Sequence, residues 1–262
     1  MTLNKLFTLP IAFLLMATVA CQKTNDDFVY RNKMLPINVK GYNGSGSYLE
    51  VKVDSFKFNS PLSTGQFDLS EAYTFPPGQS SVKLTITEQN TGKLVMEKEL
   101  KATDSLTKIS FFYMNGLVTD MPVKQPKEDG KIKISYMIMP DLTRFTEPVD
   151  IVFGKYYFTP KVFEEITRVK NVKPNEFSEP VSITPFSLTG QTWNGQPTSV
   201  LFLVYLYKAG TNILYTDGTE YTWHATSSTL PKPAANAASS TIYIITETAI
   251  GNSIRFFKNL EL

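Results

Sequence analysis

Hydrophobic residues in this chain recur at every second position, and that period dictates strands. Leu49, Val51 and Val53 alternate with Glu50, Lys52 and Asp54, while Val82, Leu84 and Ile86 alternate with Lys83, Thr85 and Thr87. Successive strand side chains point to opposite faces, so such segments bury one face and wet the other. That is the habit of antiparallel sheets. Asn90-Thr91-Gly92-Lys93 and Asp217-Gly218 supply turns between these runs, and Pro76-Pro77-Gly78 interrupts another. The pattern predicts an all-β fold of short strands and tight turns.

One segment departs from it. Thr159-Pro160, followed by Glu164 and Glu165, reads as a helix start, with Val162, Phe163, Ile166 and Val169 at helical spacing and Pro174 as the stop. These residues predict one short helix whose apolar stripe packs on a sheet.

The two halves of the chain overlay. Leu49, Val51, Val53, Phe56 and Phe58 match Val149, Ile151, Phe153, Tyr156 and Phe158 at one constant offset. Val82, Leu84, Ile86 and Gly92 match Val200, Phe202, Val204 and Gly210 at a larger one, and Ile109–Tyr113 match Ile242–Thr246 at a larger one still. Offsets that hold within blocks and rise between them describe a repeated module with insertions in the second copy. The first insertion lies between Phe158 and Val200, and the second holds the Pro/Ala/Ser stretch Ser227–Ser240. A proline-punctuated polar stretch from Met121 to Gly130 separates the copies. The expected organisation is a signal segment (1–20), a tether (21–32), a β-sandwich (33–122), a linker (123–130) and a second β-sandwich (131–262). With about seven strands each, the modules fit tandem immunoglobulin-like antiparallel sandwiches.

The first twenty residues stand apart from that pattern. Lys5 precedes an apolar run from Leu6 to Ala17, too short to span a bilayer, which takes about 20 residues. It ends in Thr18-Val19-Ala20-Cys21, and Cys21 is the chain's one cysteine. This tetrapeptide resembles a bacterial lipobox, with Thr18 where the pattern prefers Leu. The resemblance implies that Cys21 is acylated and becomes the first mature residue; an ordinary secretory signal with an incidental cysteine is the other reading. The polar, acidic Gln22–Asp27 reads as a solvated tether. It resembles the signal that sends Bacteroidota-type lipoproteins to the outer face of the outer membrane. In layout the chain resembles tandem β-sandwich surface lipoproteins of such bacteria, which implies an outer-membrane location at the cell surface.

Composition removes several function classes. The 262 residues carry a formal net charge of +2, far from the dense basic surface that phosphate binding needs, so no nucleic-acid partner is expected. One histidine and one cysteine leave no zinc ligand set of the usual kind, and no cofactor or metal is expected. A Ser–His–Asp triad would have to use His224, with no G-x-S-x-G elbow beside it. Gly44-Ser45-Gly46 lacks the Lys-Ser/Thr of a phosphate cradle and reads as a flexible loop. Glu164 and Glu165, adjacent on the expected helix, would diverge by about 100° rather than flank one bond. The chain is therefore expected not to be an enzyme.

Aromatic residues carry the remaining signal. Trp193 lies in the polar, Gly-flanked Gly190–Gln196 and is expected to be exposed, where its flat face and N–H can hold a sugar ring or a protein partner. Tyr156, Tyr157 and Trp223 could extend that surface, although core packing accounts for Trp223 and one of the tyrosines. Three functions are consistent with these residues. The first is a lipid-anchored, non-catalytic protein binding a glycan or surface protein through its second domain. The others are a spacer or assembly subunit and a carboxylate-based hydrolase.

Overall fold

The computed structural model describes residues 33–262, so the signal segment, Cys21 and the tether lie outside the described residues. Every regular element among the described residues is a strand. The first eight are β1 (Lys33–Asn43), β2 (Leu49–Val53), β3 (Phe56–Lys57), β4 (Gly65–Phe75), β5 (Ser81–Glu88), β6 (Leu94–Lys101), β7 (Thr107–Met114) and β8 (Leu117–Thr119). They form sheet I, in the order β4-β1-β7-β8, and sheet II, in the order β3-β2-β5-β6. Leu35, Ile37, Val39 and Phe111 of sheet I meet Val51, Val53, Leu84 and Ile86 of sheet II in one buried core. The alternating positions of β2 and β5 face inward and their Lys, Thr and Glu neighbours face water.

The remaining strands are β9 (Ile132–Met139), β10 (Val149–Tyr157), β11 (Val162–Val172), β12 (Val181–Ile183), β13 (Thr192–Trp193), β14 (Gln196–Pro197), β15 (Val200–Lys208), β16 (Ser239–Ile250) and β17 (Ser253–Glu261). Sheet III has the order β12-β9-β16-β17, sheet IV the order β11-β10-β15, and β13 and β14 make a separate hairpin. Ile134, Tyr136 and Ile245 of sheet III pack against Ile151, Phe153 and Val204 of sheet IV. The molecule is all-β, two sandwiches in tandem.

Sheets I and III share one plan. A parallel pair sits at the centre of each (β1 beside β7, β9 beside β16), with an antiparallel strand on either side. The registers correct the sequence overlay. Val39 pairs with Ile109, both facing the first core, whereas Ile242 pairs with Ser135 outside the second core, between the core-facing Tyr136–Tyr243 pair and the strand start, so Ile109 and Ile242 do not occupy matching positions. A slip of one residue moves every side chain to the opposite face. Sequence matching did not register it because both faces of β16 are apolar.

The expected helix is a strand. Val162–Val172 pairs antiparallel with β10 along its length, after a turn in which Lys161 adopts φ 56°. The helical spacing of Val162, Phe163, Ile166 and Val169 has another cause: the register shifts where Phe153 and Gly154 face Thr167 and Glu165. The extra residue, Ile166, reverses the inward–outward alternation. Five β-branched residues in Val162–Val172 and a neighbouring strand to pair with favour the extended chain.

The second insertion is also more embedded than its composition suggests. Leu230 and Ala235 are buried in the second core, Leu230 N–H donates to Val204 O at 3.0 Å, and Tyr136 OH donates to Pro231 O at 2.6 Å. The stretch seals the open edge beside β15. Between the sandwiches, Tyr42, Phe112 and Met114 pack on Met137, Met139, Ile244 and Leu260. Tyr42 stacks on Phe112 with centroids 5.3 Å apart, and its hydroxyl donates to Met139 Sδ at 3.3 Å. Burial foremost, with nearby Asp141 second, holds the Tyr42 phenol far above its ordinary value, so it remains a donor.

Candidate functional site

The structure sorts the four singled-out aromatic residues into two pairs on different faces. Tyr157 and Trp193 meet at the end of the second sandwich remote from the first, with ring centroids 4.8 Å apart and planes at 54°. Tyr156, one residue earlier on β10, points to the outer face of sheet IV with Leu203 and Tyr205, and Trp223 packs against the same group. Alternation along β10 forces the split.

Trp193 owes its position to a two-residue hairpin. β13 and β14 pair Trp193 with Gln196 across Asn194-Gly195, whose φ values of 49° and 80° suit a primed turn that glycine and asparagine adopt readily. Trp193 is half-buried, with Tyr157 against its ring. Tyr157 OH donates to Glu164 Oε2 at 2.8 Å, across the β10–β11 pair. Burial, then this carboxylate, pushes the Tyr157 phenol up to about 12, so it stays protonated and holds its orientation. Phe158, 43% exposed, lies with the other face instead, meeting Tyr156 edge-on with centroids 5.5 Å apart. On the same face of β10 as Tyr157, Lys155 Nζ lies 4.8 Å over the Phe186 ring, and Phe186 meets Phe202 edge-on at 5.4 Å. The segment around Phe186 and the β13–β14 hairpin thus cap this mouth of the sandwich with rings.

Trp223 plays a different part. It contacts Tyr205, Tyr215 and Phe256 at centroid distances of 5.2, 6.2 and 5.8 Å, and its buried indole N–H has no hydrogen-bond partner. It fills the gap between the core and the outer layer of sheet IV.

That outer layer escaped the sequence reading. Phe163 lies over Gly154 and stacks on Tyr205 at 4.2 Å, and Tyr205 OH donates to Ala225 O. Beside it Asp150, 1% exposed, accepts from Arg168 Nη1 at 3.1 Å, Gly210 N at 3.0 Å and Asn171 N at 2.9 Å. Arg168 also donates to Glu165 and Asn212, and its guanidinium lies 5.4 Å from the Tyr207 ring centre. The signal was present as loss of alternation: Val149–Phe153 and Val200–Leu206 are nearly continuous apolar runs, which marks strands covered on both faces.

The acidic candidates are engaged locally. Glu164 accepts from Tyr157, whereas Glu165 pairs with Arg168. His224 is exposed, with Nδ1 2.7 Å from Ser227 Oγ inside a turn whose amides return to the His224 carbonyl. Clefts of about 690 and 480 Å³ flank the junction of the sandwiches, lined by residues such as Arg144, Phe145 and Lys173 or Phe112, Leu117 and Phe177. Neither holds any of the four aromatic candidates. Among the described residues no group of three or more potential metal ligands occurs, and no helix is long and apolar enough to cross a membrane.

No family model matches this chain, and no curated protein matches its sequence. Among solved structures, a candidate adhesin from Bacteroides ovatus aligns over 86% of this chain and 95% of its own, at 8% identity and a TM-score of 0.22. A family-26 carbohydrate-binding module from Eubacterium rectale, solved with maltoheptaose, covers 86% and 96% at 9% identity and a TM-score of 0.18. A candidate cell adhesion protein from Bacteroides ovatus covers 88% and 98% at 8% identity and a TM-score of 0.15. The functional reading therefore rests on the chain's own geometry.

Proposed function

We propose that the protein is a non-catalytic binding protein of the cell envelope, held by an acylated Cys21, whose second sandwich binds a glycan at its outer end. The observation that carries this reading is the Tyr157–Trp193 pair: a half-exposed indole on a rigid two-residue hairpin, backed by a tyrosine that Glu164 orients. A sugar ring presents an apolar face of C–H groups, and a fixed aromatic plane receives it with little ordering cost. Orientation supports the reading. β1 starts at Lys33, at the end of the first sandwich away from the Tyr42 junction, while Trp193 lies at the far end of the second. A chain tethered through its N-terminus would present that end outward.

Titration of the soluble protein, residues 22–262, against an oligosaccharide panel tests this, with Trp193→Ala as the partner variant. Binding that weakens at least about tenfold in Trp193→Ala, with an unchanged melting temperature, supports the site. Binding untouched by the substitution, or no binding across the panel, overturns it.

The spacer function keeps one observation in its favour, the packed Tyr42–Phe112–Met139 junction, which would fix the angle between sandwiches.

A further inference from the structure

Lys155 is a cation without a carboxylate. It is half-buried on β10, and no acidic oxygen lies within ion-pair distance of it among the described residues. Its cross-strand partner in the β10–β11 register is Glu164, the one acid positioned to neutralise it. That carboxylate accepts the Tyr157 hydroxyl instead. The ammonium rests over the face of Phe186, 4.8 Å from the centroid. Such an interaction steadies a cation without cancelling its charge. Burying part of a lysine without a counter-ion is costly, and an incoming anion would relieve that cost.

Position ties this charge to the aromatic pair. Lys155 and Tyr157 are two residues apart on one strand, so both project from the same face roughly 7 Å apart, and Trp193 lies against Tyr157. Lys161, at the tip of the following turn, adds a second exposed cation at this end.

Resting on the glycan reading above, we infer that the site selects acidic glycans: Trp193, backed by the buried Tyr157, receives a sugar ring, and Lys155 binds the carboxylate of a uronic acid in the same or the adjoining residue. The ammonium donates hydrogen bonds to the carboxylate, and such charge-assisted bonds are the stronger kind.

The test compares uronic-acid oligomers (oligogalacturonate and oligomannuronate) with neutral oligomers of equal length, at low and high salt. Four proteins are used: unaltered, Trp193→Ala, Lys155→Met and Lys155→Arg. Methionine keeps the packing over Phe186 and removes the charge, while arginine restores it. The expected result is tighter binding of uronates, weakened about tenfold by Lys155→Met and by salt, and largely retained in Lys155→Arg. Neutral oligomers should change less than about twofold in either Lys155 variant. Uronate binding indifferent to Lys155→Met would overturn the selectivity, and so would a preference for neutral oligomers that Trp193→Ala abolishes, which leaves the glycan site standing. Absence of any Trp193-dependent binding overturns both. Thermal melting of each variant separates lost binding from lost folding.

Discussion

The two sandwiches share a sheet plan and differ in what they place on the face turned away from the core. Sheet II leaves that face polar: Glu50 on β2 pairs with Lys52 and with Lys57 of β3, and Lys83 on β5 pairs with Glu97 of β6. Sheet IV covers the corresponding face with Val152, Tyr156, Leu203 and Tyr205, and places a buried Asp150–Arg168 pair beside them. The first sandwich is thus a two-layer object, and the second carries a further aromatic layer outside its sheet. That layer packs on β10, the strand from which Lys155 and Tyr157 project. A sheet braced on both sides holds a binding end more firmly than one braced on a single side.

The largest break in this comparison should come from Gly154→Val. A Cβ there would sit 2.5 Å from Phe163 Cζ, with the Glu164 carbonyl also in the way. We expect a loss of about 3 kcal/mol or more, read by denaturant unfolding. Lys52→Val, on the open face of sheet II, should shift stability by less than about 1 kcal/mol. Arg168→Met comes next. It leaves the Asp150 carboxylate buried without its cation and should cost about 3 kcal/mol, although Gly210 and Asn171 amides still donate to it. Glu50→Gln removes both lysine pairs on the outer face of sheet II and should cost under about 1 kcal/mol.

A smaller effect concerns Lys232 in the edge-sealing insertion. Burial pushes its ammonium down to about 8 from an ordinary 10.5. Between those values the unfolded chain holds a proton that the folded chain has released, so stability rises with pH across that window. Below about 8 both states are charged and the folded protein bears the full penalty. Lys232→Met should therefore raise the melting temperature at pH 7, and the advantage should shrink as pH climbs from about 8 towards 10.5. An advantage independent of pH would show that the ammonium is not the cause.

Much of the first sandwich was legible because one wet face and one dry face produce strict alternation. Val51 and Leu84 are buried where that rule places them. The second sandwich obscured its own pattern. Continuous apolar runs on β10 and β15 carry no face information, and the bulge at Ile166 turned a strand into an imitation of a helix. The candidate site was legible in part. Tyr157 and Trp193 meet, yet Tyr156 and Trp223 belong to the outer layer of sheet IV, a division that strand geometry dictates once β10 is known to be a strand. Lys155 was not legible, since its significance depends on Glu164 being occupied by Tyr157, a pairing set by register.

Hydrogen exchange on the soluble protein, with and without a saturating uronic-acid oligomer, tests the central claim most directly. The account predicts slowed exchange in residues 155–161 and 191–197, and none in residues 49–58 or 81–101 of the first sandwich. Protection confined to the first sandwich, or to the junction around Tyr42 and Met139, would contradict it.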